Sequence, residues 1–249
     1  MTHRQALSES YRILSPFADP QRWEFTNNLF HLSFLDQHIL KNARILDMGC
    51  GIGILALALK LLGHQVTGMD KYVFEPSTSY SVEDIARLRD IWQAHSLNIS
   101  AGDALNGAPA ITYDAVVSIA VIEHQKNLPE FMAGLMSYLK PGGTVYIATP
   151  NVTNFLNRWR FFFGRAPLGN IREFYAAGDR FTGHWREYTV AELRTIARLA
   201  DLKVLEARNC QTLKPYLTKN WRKWHRLLAR FLGSVFPGCG DTNYLWAQK

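Results

Sequence analysis

Cysteine is scarce, with Cys50, Cys210 and Cys239 the only three in 249 residues. An odd number without a CxxC pair supports neither a disulfide framework nor a zinc site, and a reducing compartment is expected. No apolar run approaches the roughly 18 residues that cross a bilayer. Met1 to Glu9 lacks the apolar core of a signal peptide, so a cytoplasmic location is expected. Acidic residues are missing from one long stretch: Arg208 to Arg230 holds seven Lys and Arg and no Asp or Glu. The hydrophobic fraction of 47% and charged fraction of 20% exclude a disordered, collagenous or coiled-coil chain. One elaborated α/β domain that buries a sizeable core is the default at this length.

The charge is unevenly divided. Residues 1–150 carry 11 Lys and Arg against 14 Asp and Glu, whereas residues 151–249 carry 17 against 7. The basic surplus lies wholly in the second part and points to an anionic partner for it: nucleic acid, a membrane surface or an acidic substrate. A merely solvated basic face is the bland alternative.

Strands and helices alternate in the first part. Ala43 to Met48 reads as a short apolar strand, Gly49 to Gly53 as a turn, and Ile54 to Leu62 as an apolar helix stopped by Gly63. Gln65 to Met69 forms a second strand ending at Asp70, and Ser81 to His95 has helical spacing through Ile85, Leu88, Ile91 and Trp92. A third strand spans Leu97 to Ser100 and a fourth Tyr113 to Ala120. A helix over Leu128 to Leu139, a turn at Pro141-Gly142-Gly143 and a strand over Thr144 to Ala148 follow. Such alternation predicts a doubly wound α/β fold, its sheet covered on both faces, with ligands beyond the carboxyl ends of the strands.

Chemistry first shows in the glycine loop. Gly49, Gly51 and Gly53 permit positive φ and close approach of a ligand to the backbone, and the helix that follows offers unpaired N–H groups. The pattern is GxGxG rather than GxGxxG, since Ile54 stands at the sixth position, and Asp47 precedes it; this favours a ligand other than NAD. Asp70, ending the second strand, is placed to accept from ribose hydroxyls in either case.

The wider pattern resembles the class I S-adenosylmethionine-dependent methyltransferases, in their small-molecule, type 11/23-like branch. Ile45-Leu-Asp-Met-Gly-Cys-Gly-Ile-Gly53 is similar to the first motif of that family, Val66-Thr-Gly-Met-Asp70 to the second and Ala101-Gly-Asp-Ala104 to the third. Tyr113 to Ser118 with Glu123-His124 resembles the fourth, and Leu139-Lys-Pro-Gly-Gly143 the fifth. Gly183-His-Trp-Arg-Glu-Tyr-Thr189 and the closing Tyr244 to Lys249 resemble the later part of the fold. The resemblance implies a seven-stranded mixed sheet and one methyltransferase domain over residues 1–249. Within it, 1–42 would be a helical cap (helical from about Tyr11 to Leu40), 43–150 the cofactor core, 151–188 a substrate-side insert, and 189–249 a C-terminal part with a basic amphipathic insert at 209–240.

By the same resemblance, Asp47, Gly49, Gly51 and Gly53 would hold the amino-acid end of S-adenosylmethionine, Asp70 its ribose, Lys71 or its neighbour the adenine face and Asp103 the adenine amino group, with Cys50 of the loop also in contact with the cofactor. Ala104 and Ser118 complete the cofactor set. A sulfonium donor is already activated, so the protein need only align an acceptor and remove its proton, for which His124 and His184 are the candidates. In the ubiquinone-pathway relatives that the Glu123-His124 pair resembles, an acid three positions earlier helps bind a divalent cation. Ala120 stands there instead, so no metal is expected and a quinone-ring acceptor is disfavoured. The implied activity is O-methylation of a small molecule, sugar or lipid-linked acceptor, with an RNA-modifying enzyme or a non-catalytic cofactor-binding relative as alternatives.

Two segments exceed the core fold. Residues 151–186 interleave Phe155, Trp159, Phe161, Phe162 and Phe163 with Arg158, Arg160, Arg165 and Arg172. On a helical wheel Trp221, Trp224, Leu227, Leu228, Phe231, Leu232 and Val235 fill one arc, and Arg222, Lys223, Arg226 and Arg230 the arc opposite. This face either packs on the domain as a cap or docks on an anionic membrane surface; nucleic acid is disfavoured for want of an RNA-binding module.

Overall fold

The computed structural model describes residues 1–15, 17–18, 24–71, 80–102, 111–167, 171–178, 181–212 and 224–249. In chain order the elements are α1 His3–Ile13, α2 Glu24–His38, β1 Arg44–Met48, α3 Ile54–Leu61, β2 Gln65–Asp70, α4 Val82–Ala94, β3 Asn98–Ala101 and β4 Tyr113–Ile119. A short 3-10 turn, Ile122–His124, leads to α5 Leu128–Ser137, β5 Leu139–Pro150, α6 Phe155–Phe162, α7 Ile171–Ala177, α8 Val190–Leu199, β6 Lys203–Cys210, α9 Trp224–Val235 and β7 Thr242–Gln248. The seven strands form one sheet in the order β3-β2-β1-β4-β5-β7-β6. None of the helices among the described residues is long and apolar enough to cross a membrane.

The expected alternation of strands and helices is present, with three differences. The N-terminal helices begin at His3 rather than near Tyr11, because Thr2 and Gln5 form a reciprocal cap that satisfies the first orphan N–H groups. The Pro141-Gly142-Gly143 stretch, expected as a turn, is absorbed into β5, with Gly142 at φ 76° and the Gly143 carbonyl accepting from Lys249 N at 2.9 Å. The helix expected over 221–235 is described from Trp224 onward, and Trp221, Arg222 and Lys223 lie outside the described residues.

The chain divides into two compact units, one made of Met1–Ile119, Glu130–Tyr146 and Gln248–Lys249 and the other of Ala120–Pro129 and Ile147–Ala247. In the first, β1 pairs in parallel with β2 and with β4, placing Asp47 beside Gly68 on one side and Val117 on the other. Strand order reverses between β1 and β4, which makes their carboxyl ends the place where a ligand binds on such a sheet. Ile45, Leu46, Val116 and Val117 are wholly buried there, as are Leu57 and Leu59 of α3. Helix α1 packs on α3, and its buried Ser10 hydroxyl donates to the Ile54 carbonyl at 2.6 Å. The Asp36 carboxylate ties the helical layer together, within 2.9 Å of His3 Nε2, 2.7 Å of Lys41 Nζ and 3.1 Å of His64 Nε2.

In the second unit, Tyr188, Leu193 and Ala197 pack in a core with Leu202, Ala207 and the buried run Tyr244 to Ala247 of β7. Thr189 and Glu192 form a capping box that starts α8 one residue after Tyr188. Asn243 Nδ2 donates to the Tyr188 carbonyl at 2.7 Å and to Asn151 Oδ1 at 3.0 Å, so the segment before α8 is held against the end of β5.

His31 of α2 is wholly buried, with Nδ1 at 2.8 Å from the Tyr146 hydroxyl and Nε2 without a partner among the described residues. Burial pushes its pKa down to about 3. The folded state therefore takes up this proton later than the unfolded chain does, and stability falls as the pH drops from the ordinary imidazole value of 6.5 toward 3. Urea unfolding between pH 7 and pH 4 should show His31→Phe losing up to about 1.4 kcal/mol less per pH unit than the parent protein. Parallel curves would remove His31 from the acid response.

Candidate active site

The glycine loop is built from β1 outward. Asp47 is the fourth residue of β1 and 3% exposed, and the chain then turns through Gly49, Gly51 and Gly53 at φ of 80°, 56° and 88°. Positive φ alone requires glycine at position 51, where an added Cβ meets nothing. At Gly53 a Cβ would also lie 2.4 Å from Ile99 Cδ1. Gly49 N donates to the Met69 carbonyl at 2.7 Å, Gly51 N to Asp70 Oδ2 at 2.8 Å, and Trp92 Nε1 to the Ile52 carbonyl at 3.0 Å. The loop is thus pinned from β2 and α4, and α3 starts at Gly53 with no side-chain cap on its first N–H groups.

Three expected cofactor residues converge here with their polar atoms buried. Asp47 Oδ2 and Ser118 Oγ have no hydrogen-bond partner among the described residues, and Asp47 and Ser118 lie on neighbouring strands. Burial, assisted by the Asp70 carboxylate, pushes the Asp47 pKa up to about 7. The Cys50 thiol is raised well above its ordinary range, first by burial and then by Asp47 and Asp70, so it is a neutral lining group. Asp70 is 6% exposed, and Lys71 follows it at the surface. Asp103 and Ala104 lie outside the described residues.

The second cluster belongs to the second unit. Directly after β4, Ala120 holds φ 56°, a strained value for a residue with a Cβ, and its N–H donates to the Ala148 carbonyl at 2.8 Å. That bend starts the turn carrying Glu123 and His124. The Glu123 carbonyl accepts from Trp185 N at 2.8 Å, which draws the Gly183-His184-Trp185 segment alongside. A Cβ at Gly183 would lie 2.4 Å from Phe181 Cζ, so the ring packs closely on the backbone there.

His124 and His184, two separate candidates in the sequence, meet edge to face with ring centroids 4.9 Å apart. Glu123 joins them and was not among the expected site residues. It is wholly buried; Oε2 accepts from Thr149 Oγ1 at 2.9 Å, and Oε1 has no partner among the described residues. Burial raises its pKa against the opposing pull of its hydrogen bonds and of both histidines. His124 Nδ1 lies 2.8 Å from the Thr182 carbonyl, which only accepts, so Nδ1 bears the proton and Nε2 the lone pair. His184 Nδ1 is likewise spent on Glu187 Oε1 at 3.0 Å, a hydrogen bond that raises the His184 pKa. One ligand atom from each of Glu123, His124 and His184 lies within 4.8 Å of the others. Nothing in the spacing of residues 124 and 184 announces this meeting; Glu187, three places after His184, is the one local sign of an oriented imidazole. Phe174, Phe181 and Trp185 pack edge to face beside the segment, with Lys126 Nζ 4.3 Å from the Trp185 ring centre.

Comparison with known proteins agrees on one family. A family profile described as a methyltransferase domain matches residues 24–207. The ubiquinone biosynthesis O-methyltransferase of Xanthomonas campestris is 28% identical over 216 residues, covering 85% of this chain and 82% of the relative. That of Burkholderia multivorans is 27% identical over 225 residues, covering 89% and 85%. Among solved structures, an S-adenosylmethionine-dependent methyltransferase from Mesorhizobium loti superposes with a TM-score of 0.59 at 13% identity over 92% of this chain and all of its own. Phosphoethanolamine N-methyltransferase 2 of Haemonchus contortus, solved with S-adenosyl-L-methionine, gives 0.57 at 19% identity over 100% of this chain and 60% of its own.

A carboxyl group with a raised folded pKa favours folding only while it keeps its proton, so the Asp47 contribution is lost as pH rises from about 4 toward 7. Asp47→Asn, which cannot ionise, should therefore be more stable than the parent by on the order of 1 to 3 kcal/mol at pH 8, with a smaller gain at pH 5. Chemical denaturation of the ligand-free protein at the two pH values measures it. A gain independent of pH would mean that Asp47 does not carry this charge.

Proposed function

The chain belongs to the methyltransferase-domain family, and on that premise we propose that it transfers a methyl group from S-adenosylmethionine to a hydroxyl of a small molecule. The observation that carries the reading is the buried Asp47 carboxylate, its Oδ2 unpartnered among the described residues, at the foot of a glycine loop on the switch point of the sheet. When bound, S-adenosylmethionine supplies a methyl group already activated on a positively charged sulfur. Asp47 and the uncapped start of α3 suit its amino-acid end, an ammonium meeting the orphan oxygen and a carboxylate meeting the first N–H groups of the helix. Asp70 suits the ribose hydroxyls and Ser118 a further polar contact, while Asp103 and Ala104 keep the adenine role that the resemblance assigns them.

His124 and His184 deal with the acceptor's proton. Each presents an Nε2 lone pair because its Nδ1 is committed to a carbonyl or a carboxylate, and Glu123 stabilises positive charge on either. The curated relatives are named as O-methyltransferases, which agrees with a hydroxyl acceptor, a poor nucleophile until deprotonated. Calorimetry should find S-adenosylmethionine binding weakened about 5- to 150-fold by Asp70→Ala. His124→Ala or His184→Ala should keep that affinity and lower turnover about 10²- to 10⁴-fold. Failure of the parent protein to bind the donor at millimolar concentration would reject the reading; unchanged turnover in both histidine variants would reject the proton role.

We further propose that the acceptor is amphiphilic and reached at an anionic membrane surface. Trp159, Phe162 and Phe163 of the α6 region are 56%, 79% and 58% exposed, and Leu228, Phe231 and Val235 of α9, which packs with α6, are 55%, 56% and 58% exposed. An apolar arc left open beside a basic sequence suits lipid better than a buried cap. Each basic residue near an anionic surface contributes about 1 kcal/mol, screened by salt. Anionic vesicles should sediment the parent protein in low salt, and changing Arg222, Lys223, Arg226 and Arg230 to Glu should abolish this. Equal sedimentation of both proteins, or capture by RNA alone, would overturn the membrane reading.

A further inference from the structure

We infer that Glu187 is a positioning residue for methyl transfer: its carboxylate holds the His184 ring by Nδ1, keeps the lone pair on Nε2 for the acceptor hydroxyl, and makes His184 the stronger base of the histidine pair. This role rests on the methyl-transfer reading above, whereas the orientation of the ring does not. Glu187 Oε1 lies 3.0 Å from His184 Nδ1, and the Glu187 side chain is 12% exposed. Its other oxygen, Oε2, is buried and has no hydrogen-bond partner among the described residues. A buried carboxylate oxygen without a donor costs stability. Starting α8 does not call for that cost, since Thr189 and Glu192 already cap the helix. Among the described residues, the hydrogen bonding of this carboxylate is met by the imidazole alone.

The backbone holds this pair from both ends. One residue after His184, Trp185 N donates to the Glu123 carbonyl at 2.8 Å; one residue after Glu187, the Tyr188 carbonyl accepts from Asn243 Nδ2 at 2.7 Å. The segment between the two anchors is short. Little main-chain freedom is therefore lost when the carboxylate meets the ring.

The two histidines are not equivalent. His124 Nδ1 meets the Thr182 and Gly183 carbonyls at 2.8 and 3.2 Å, which fix a tautomer but bear no charge. His184 Nδ1 meets a carboxylate, which fixes the same tautomer and also stabilises the imidazolium. The titratable and charged groups around His184 are Glu187 on its own segment and Glu123 and His124 of the turn after β4, with Lys126 Nζ over the neighbouring Trp185 ring. The Glu187 hydrogen bond raises the His184 pKa against the opposing pull of burial, and Glu123 adds to the rise. In the reaction, Nε2 takes the hydroxyl proton as the acceptor oxygen bonds to the methyl carbon. The methyl–sulfur bond breaks with its electron pair left on sulfur, and Nε2 then returns the proton to water.

The test uses the full chain with ¹⁵N-labelled histidines and no acceptor, as the parent and as the isosteric Glu187→Gln. Ring nitrogen shifts in the NMR spectrum report tautomer and charge directly. Neutral His184 should carry its proton on Nδ1 in the parent. A Gln amide donates as well as accepts, so Glu187→Gln should move His184 toward the Nε2–H form that a free imidazole prefers and let it ionise at lower pH than in the parent. His124, held by carbonyls, should keep Nδ1–H in both proteins and so report an intact fold. Methyl-labelled S-adenosylmethionine with a host extract then reads the reaction. Glu187→Gln should slow label transfer about 10- to 100-fold, part of the about 10²- to 10⁴-fold loss expected of a missing base. It should cost little more in a His184→Ala background, because Glu187 acts through that ring. An unchanged His184 tautomer and ionisation in Glu187→Gln, or equal slowing of transfer in the parent and His184→Ala backgrounds, overturns the inference. Unchanged transfer with an altered tautomer also overturns it and leaves the contact structural. No label transfer by the parent rejects the methyl-transfer reading and the positioning role with it, while the ¹⁵N shifts still decide the orientation of the ring.

Discussion

A buried carboxylate oxygen without a hydrogen-bond donor destabilises a folded chain, and among the described residues Asp47, Glu123 and Glu187 each carry one. Two of them stand beside the glycine loop and the histidine pair: Asp47 Oδ2 near the end of β1 and Glu123 Oε1 just after β4. Both positions are built by the surrounding backbone rather than tolerated at an edge. The chain leaves Asp47 through three glycines at positive φ, and Ala120, also at positive φ, starts the turn that carries the buried Glu123. A positively charged or proton-donating group brought to either oxygen would relieve that cost.

On the proposed methyl-transfer reading, the first carboxylate is the partner of the donor's ammonium group. Methyl transfer from a sulfonium asks for little covalent chemistry, so stability is spent on a preorganised crevice: the loop is tied to Met69, Asp70 and Trp92 by hydrogen bonds of 2.7 to 3.0 Å. The second carboxylate departs from what the fold requires. Its neighbours His124 and His184 each lose Nδ1 to a fixed acceptor, which leaves two oriented Nε2 atoms. The ubiquinone-pathway relatives share the Glu-His pair by resemblance, but the position of the earlier acid is Ala120 here, and Ala120 holds a positive φ of 56°.

The aromatic and basic segments are additions to this scaffold. Helices α6 and α9 pack together while leaving Trp159, Phe162, Phe231 and Val235 more than half exposed. Phe174, Phe181 and Trp185 instead pack on one another next to His184. One aromatic group therefore serves the cluster, and the other faces outward, where the basic surplus of residues 151–249 also lies in the sequence.

Much of this was legible in the chain itself. Alternating apolar runs and glycine turns specify local structure, so β1, α3, β2, α4 and β4 fall close to where periodicity puts them, and Asp47, Gly49, Gly51, Gly53 and Asp70 are marked by short spacings that the loop needs. The caps were less visible: Thr2 with Gln5 moves the first helix to His3, and β5 extends back through Pro141-Gly142-Gly143 because the chain end pairs with it. Long-range convergence was not visible at all. His124 and His184 are 60 residues apart with no periodic relation, and Glu123 is joined to them because its carbonyl accepts from Trp185 N while Asn243 and Asn151 hold the segment behind it. Local sequence determined which elements form and where a cofactor loop lies; tertiary structure alone decided which buried charges meet, because that depends on hydrogen bonds between residues no local pattern relates.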